Sequence, residues 1–176
     1  MAIDRQKTET VHWHAVFTAS RAEKKVRDRL EELGVECFLP VQTVLRQWTY
    51  RKSRVVVPVI AGLVFVRVGR QEQVKGLQTK GVVAFLRLKG EAGAAVIPDK
   101  QMEDFRFLLD FSEEAVEMTN ENIKAGDLVR VVKGSLRGME GELIRHKGVT
   151  KVLVRIDMLG CAMVNIPASF VEKLNK

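Results

Sequence analysis

The chain has 176 residues, 46% of them hydrophobic and 29% charged, enough apolar material for one or two packed cores; wholesale disorder and a large multidomain enzyme are excluded. A formal net charge of +7 points to an anionic partner, either a polyanion or an acidic protein surface. Cys37 and Cys161 lie in no CxxC pattern and read as reduced core thiols, and the uncharged run 55–66 is shorter than the roughly 20 residues of a membrane span, so the expectation is a soluble, cytoplasmic chain with no membrane partner.

Taken in order, HWHAVFT (12–18) has the aromatic and β-branched content of a strand. Ser20 and Glu23 have capping-box spacing, and Ala22, Val26, Leu30 and Leu33 follow at helical intervals to a stop at Gly34. ECFLPVQTVLRQW and YRKSRVVVP read as two strands with a basic turn between them, and GLVFVRV as a central strand covered on both faces. A helix over 70–77, a strand pair at 82–88 and 94–97, and a helix from Pro98 to about Phe111 complete the first block, an α/β sandwich over 11–111. Residues 112–122, with Glu113, Glu114, Glu117 and Glu121, read as an acidic solvated linker between two basic blocks. From 123 to 176 there are only short alternating runs with glycine corners at Gly134, Gly138, Gly141, Gly148 and Gly160, which predicts a small β-barrel. The fold class is therefore α+β.

Catalytic patterns are missing: His12, His14 and His146 have no nucleophile context, and neither HExxH nor a phosphate-binding glycine loop occurs. No catalytic residue, metal ligand or cofactor is expected, and His12 and His14 read as surface or edge histidines. Between Cys37 and Gln71 there is no acid, while the stretch holds Arg46, Arg51, Lys52, Arg54, Arg67 and Arg70 with Trp48 and Tyr50 interleaved near the hairpin tip; this suits phosphate attraction and base stacking, and equally a hairpin edge guarded by charge. On the first helix Arg21, Lys25 and Arg29 form a repelling i,i+4 row that an anion would relieve, although Asp28 and Glu32 are near in sequence, and Glu23–Arg27, Lys24–Asp28 and Arg27–Glu31 have ion-pair spacing. Thr79-Lys80-Gly81 reads as a turn before a strand. Ile60, Ala61, Leu63 and Phe65 surround Gly62 near a strand end, where an apolar patch would serve for docking and where core packing is the plainer reading.

The order W-H-A-V, capped helix, E-C-F-L-P, basic hairpin, V-P-V-I-A-G-L-V-F-V and T-K-G-V-V-A-F-L resembles the N-terminal domain of the NusG family, and Gly126 to Leu143 resembles a KOW motif, with Gly126, Asp127, Gly134, Gly138 and Gly141 in its pattern. The resemblance spans about 11–111 and 123–175. It implies a sandwich followed by an SH3-like barrel and a transcription elongation or antitermination factor, not an enzyme, that docks on the clamp helices of RNA polymerase and suppresses pausing and termination. By position it implies docking through Ile60, Leu63 and Phe65 with Trp13 supporting the sheet. Non-template DNA contact falls to Lys25, Arg29, Thr79 and Lys80, beside which Arg21, Arg51 and Lys52 supply further charge. The family's Rho and ribosomal-protein contacts would lie on the barrel, where its I-F-G-R becomes Met158-Leu159-Gly160-Cys161, and its F-P-G-Y and KOW proline become Ile60-Ala61-Gly62-Leu63 and Ser135. These departures bring the chain nearer to specialised UpxY-like paralogues acting on polysaccharide operons. The alternative is a ribosome- or RNA-binding KOW protein using Arg130, Lys133, Arg137, Arg145 and Lys147.

Overall fold

A computed structural model describes residues 9–175. It divides into two compact units, one made of the residues to Leu39 with Gly62–Val96, the other of Pro40–Ala61 with Ile97 onwards.

The first unit is built on a four-stranded antiparallel sheet. Its strands are β1 (His12–Thr18), β2 (Glu36–Phe38), β5 (Leu63–Val68) and β6 (Val82–Phe85), in the order β2-β5-β1-β6. The helices α1 (Glu23–Glu32) and α2 (Arg70–Gln78) pack on it. In β5, the expected central strand, Leu63, Val64, Phe65, Val66 and Val68 are all buried, because β1 and β2 pair with its two edges and α1 and α2 lie against it. Trp13 of β1 is buried as well.

Sequence reading and structure part at three places in or beside this unit. The run ECFLPVQTVLRQW is not one strand: it breaks at Leu39-Pro40 into β2, which joins β5, and β3 (Val41–Gln47), which pairs with β4 (Lys52–Pro58) in the second unit. Pro40 has no N–H to donate to a ladder, and its carbonyl instead accepts from Val59 N at 2.8 Å. The Ser20–Glu23 capping box does not form. Arg21 takes a left-handed φ of 57°, the helix starts from Ala22 with no side-chain cap, and Glu23 is turned inward. Residues 94–96 form no strand, although Ala95 N donates to Leu86 O at 2.8 Å.

The second unit holds the β3–β4 hairpin, α3 (Asp99–Phe111) and a six-stranded antiparallel sheet, the SH3-like barrel part of the chain. The sheet contains β7 (Glu117–Thr119), β8 (Asp127–Val131), β9 (Glu140–His146), β10 (Val149–Ile156), β11 (Gly160–Asn165) and β12 (Val171–Lys173), ordered β12-β8-β9-β10-β11-β7. Part of the acidic segment read as linker is thus structural: Val116 is buried and β7 pairs with β11 through Glu117↔Met163, Met118↔Ala162 and Thr119↔Cys161. Glu117 accepts from Lys151 Nζ at 2.7 Å, so one joint carboxylate neutralises a barrel ammonium that is itself buried.

A second polar network closes the other end of this sheet. Arg155 holds Glu142 with two bonds, Nε to Oε1 at 2.6 Å and Nη2 to Oε2 at 2.9 Å, and also donates to Ile123 O at 3.0 Å. Glu142 accepts from Gly126 N at 3.0 Å, and the Arg155 bond holds its carboxyl below the usual range. Gly126 sits where a Cβ would lie 2.1 Å from Leu143 O, so no side chain fits between these backbones.

Among the described residues no helix is long and apolar enough to cross a membrane.

Candidate functional site

The clearest cationic surface of the first unit joins α1 to the turn between α2 and β6. Lys25 and Arg29, one helical turn apart, are on the same side of α1. Arg29 Nη1 donates to Lys80 O at 2.7 Å, which fixes the turn beside the helix. Gly81, at φ +98°, permits this approach: a Cβ there would lie 2.8 Å from Val26 Cγ2. The turn is closed by Val82 N to Thr79 O at 3.1 Å and tied to the connection between β1 and α1 by Ala19 N to Gly81 O at 2.8 Å. Arg21, Lys25 and Lys80 are exposed, and none of them, nor Arg29, makes an ion pair among the described residues. Of the two carboxylates expected to offset this row, Asp28 takes Arg27 at 2.6 Å and Glu32 makes no ion pair among the described residues, while Glu23 Oε1 accepts from Gly62 N at 2.8 Å. The helix pairs read from i,i+4 spacing are therefore not made. Thr79 departs from its expected role. It is buried and its hydroxyl donates to Lys75 O at 3.0 Å, so it builds the turn and leaves Lys80 to face solvent.

The expected apolar docking patch is corrected. Leu63 is 1% exposed and Phe65 0%, with the Phe65 ring stacked on Phe38 at 6.1 Å; an interior strand offers no side chain to a partner. Ile60 is half-buried and Ala61 exposed in the loop ahead of Gly62. Gly62 itself is gripped twice, by the Glu23 carboxylate at its amide and by Thr18 N at its carbonyl, 2.9 Å away. Glu23 thus holds the Gly62 backbone, a structural role that the capping-box reading hid.

His14 is likewise not at the surface. Its Nδ1 donates to Ala95 O at 2.8 Å, its Nε2 lies 3.4 Å from Gln73 Nε2, and its ring meets Phe85 edge-on at 5.9 Å. Burial pushes its pKa down, with the His12 charge adding to this and the Ala95 carbonyl opposing it. A depressed histidine pKa means the unfolded chain takes up the proton first. The His14 contribution to stability is therefore whole above pH 6.5 and shrinks as pH falls below it. Thermal midpoints measured across that range should fall on acidification, and a His14→Phe chain should lack this step. Cys37 is an inert thiol, pushed up to about 12 by burial.

On the barrel, Asp127 pairs with Lys173 at 2.8 Å and Arg130 with Glu140 at 2.6 Å. Gly134 and Gly138 lie in the connection from β8 to β9 and Gly141 within β9. The hairpin cations Arg51 and Lys52 belong to the second unit and stand exposed at its tip. No group of three or more His, Cys, Asp or Glu side chains among the described residues is placed to hold a metal.

Comparison with known proteins gives three findings. The family model described as "Transcription termination factor nusG" matches residues 11–106. Among solved structures, one described as "Domain interaction in Thermotoga maritima NusG" matches at 22% identity and a TM-score of 0.51, covering 94% of this chain and 98% of that one. Two conformations of an MjSpt4:Spt5 complex match at 17% identity: conformation B covers 93% of this chain and 97% of that one at a TM-score of 0.31, and conformation A 93% and 99% at 0.27. The fold likeness rests on the first of these structures. The search of curated proteins found no match.

Proposed function

The chain belongs to the NusG family, and on that premise we propose that it is an elongation and antitermination factor that docks on the RNA polymerase clamp and steadies the transcribing complex against pausing. Residues 11–111 would supply docking and 123–176 the KOW barrel, whose partner is a protein such as Rho or a ribosomal protein. No bond is made or broken. A ligand with greater affinity for the processive than for the paused enzyme shifts the population by that difference alone.

The observation that carries this reading is the unpaired cationic cluster of Lys25, Arg29 and Lys80, held in one geometry by the Arg29–Lys80 bond within the matched residues. It suits the phosphates of an exposed non-template strand, with Arg21 beside it. Docking is assigned to the Ile60-Ala61 loop, where Ile60 is half-buried and Ala61 exposed. Action on one operon, such as a polysaccharide operon, would follow from base contacts near Lys80.

The test is transcription through a pause site with purified polymerase, with single-stranded DNA binding alongside. Lys25→Ala and Lys80→Ala should each lower the slope of log affinity against log salt by about 0.7, one phosphate contact on a single strand, and shorten the antipausing effect in parallel. Parental slopes in both would remove this surface from the contact list. Co-sedimentation with ribosomes but not with polymerase would favour the KOW-protein alternative.

A further inference from the structure

The β3–β4 hairpin has a feature that polymerase docking and the α1 surface leave unused. Its register runs from Val41↔Pro58 to Gln47↔Lys52, and the four-residue tip Trp48–Arg51 is closed by Trp48 N to Arg51 O at 2.8 Å. One face is half-buried, through Gln42, Val44, Val55 and Val57. The other is open along its length and carries Leu45, Lys52, Arg54 and Val56. The base is fastened: Gln42 exchanges two bonds with the Val116 backbone, accepting at 2.9 Å and donating at 3.2 Å. An anchored base and a closed turn make the tip a fixed projection.

At that tip Tyr50 is 97% exposed and Trp48 54%, and neither ring contacts another aromatic ring among the described residues. Arg46, Arg51, Lys52 and Arg54 surround them, no acid lies between Cys37 and Gln71 in sequence, and none of the four makes an ion pair among the described residues. Cations alone suffice to guard an open strand edge. Guarding does not account for two large aromatic rings left in water beside them, which raises the risk of association that the charges would reduce.

We infer that the tip and open face of this hairpin form a second binding site, for single-stranded nucleic acid, in which Tyr50 and Trp48 stack on bases while Arg51, Lys52 and Arg54 hold the backbone. Base stacking on an aromatic face needs no particular sequence, and uncompensated cations at the same spot track phosphates. The site extends nucleic-acid contact to another surface and does not depend on polymerase docking.

Trp48 reports on its own occupancy, since the other tryptophan, Trp13, is buried. Titrating the full chain with ~15-nucleotide oligo(dT) and oligo(rU) should quench tryptophan emission, and a duplex of that length should quench it little. Trp48→Phe should abolish the quench. Tyr50→Ala should weaken binding about 5- to 100-fold, and Arg51→Ala should lower the salt slope by about 0.7. Quenching by dT alone assigns the site to DNA, by rU alone to RNA, by both to either strand, and each supports it. A quench that persists in Lys25→Ala but vanishes in Trp48→Phe separates this site from the α1 surface, whichever of the two holds. Absence of quenching with both oligonucleotides, equal quenching by duplex, or parental affinity in Tyr50→Ala overturns the inference.

Discussion

Phe65→Ala should destabilise the first unit by about 3–5 kcal/mol, and Leu63→Asp should prevent it from folding. Phe65 is wholly buried on a strand paired at both edges, and removing its ring opens a cavity against Phe38 that the sheet cannot close. Leu63→Asp places a carboxylate where no donor awaits it. Either variant would lose polymerase binding through unfolding, so binding alone says nothing about docking. Ile60→Asp is the informative partner: its side chain is only half-buried, and the chain should keep its parental unfolding midpoint while co-sedimenting poorly with polymerase. A stably folded Leu63→Asp chain would overturn the interior placement of β5.

The second large effect is expected at Glu117. Lys151 has 5% of its side chain exposed and Glu117 53%, so Glu117→Ala leaves an ammonium buried with its one carboxylate partner removed. The cost should be about 1–3 kcal/mol, and the double variant Glu117→Ala with Lys151→Met should recover most of it, because a buried ion pair is easily replaced by apolar atoms of similar size. Hydrogen exchange of the β10 and β11 amides reads this directly. Equal protection in the parent and in Glu117→Ala would show that the pair contributes nothing. A slowly exchanging single variant with a fast double variant would reverse the assignment.

Much of the fold was legible because pattern and packing agree. The apolar run Leu63–Val66 read as a central strand covered on both faces, and the burial found there removes the docking role that resemblance gave to Leu63 and Phe65. Local chemistry misled where a distant partner outbid it. Glu23 has capping spacing from Ser20, yet the Gly62 amide, 39 residues away in sequence, takes its carboxylate. Glu117 has the composition of a solvated linker, yet the need of Lys151 draws it into the sheet. Of the cationic site, the spacing of Lys25 and Arg29 was readable, because helical periodicity places them together. That Lys80 stands beside them, and that Thr79 only supports the turn, depends on a hydrogen bond between residues 51 apart.

The pairing of β7 with β11 also governs how the protein can be cut. A C-terminal fragment begun at residue 123 would discard Val116 and Glu117, strand Lys151 without its carboxylate, and bare the backbone of β11 along its Thr119-to-Glu117 side. Such a piece is expected to aggregate edge to edge with its own copies, whereas one begun upstream of Ala115 carries its own cover.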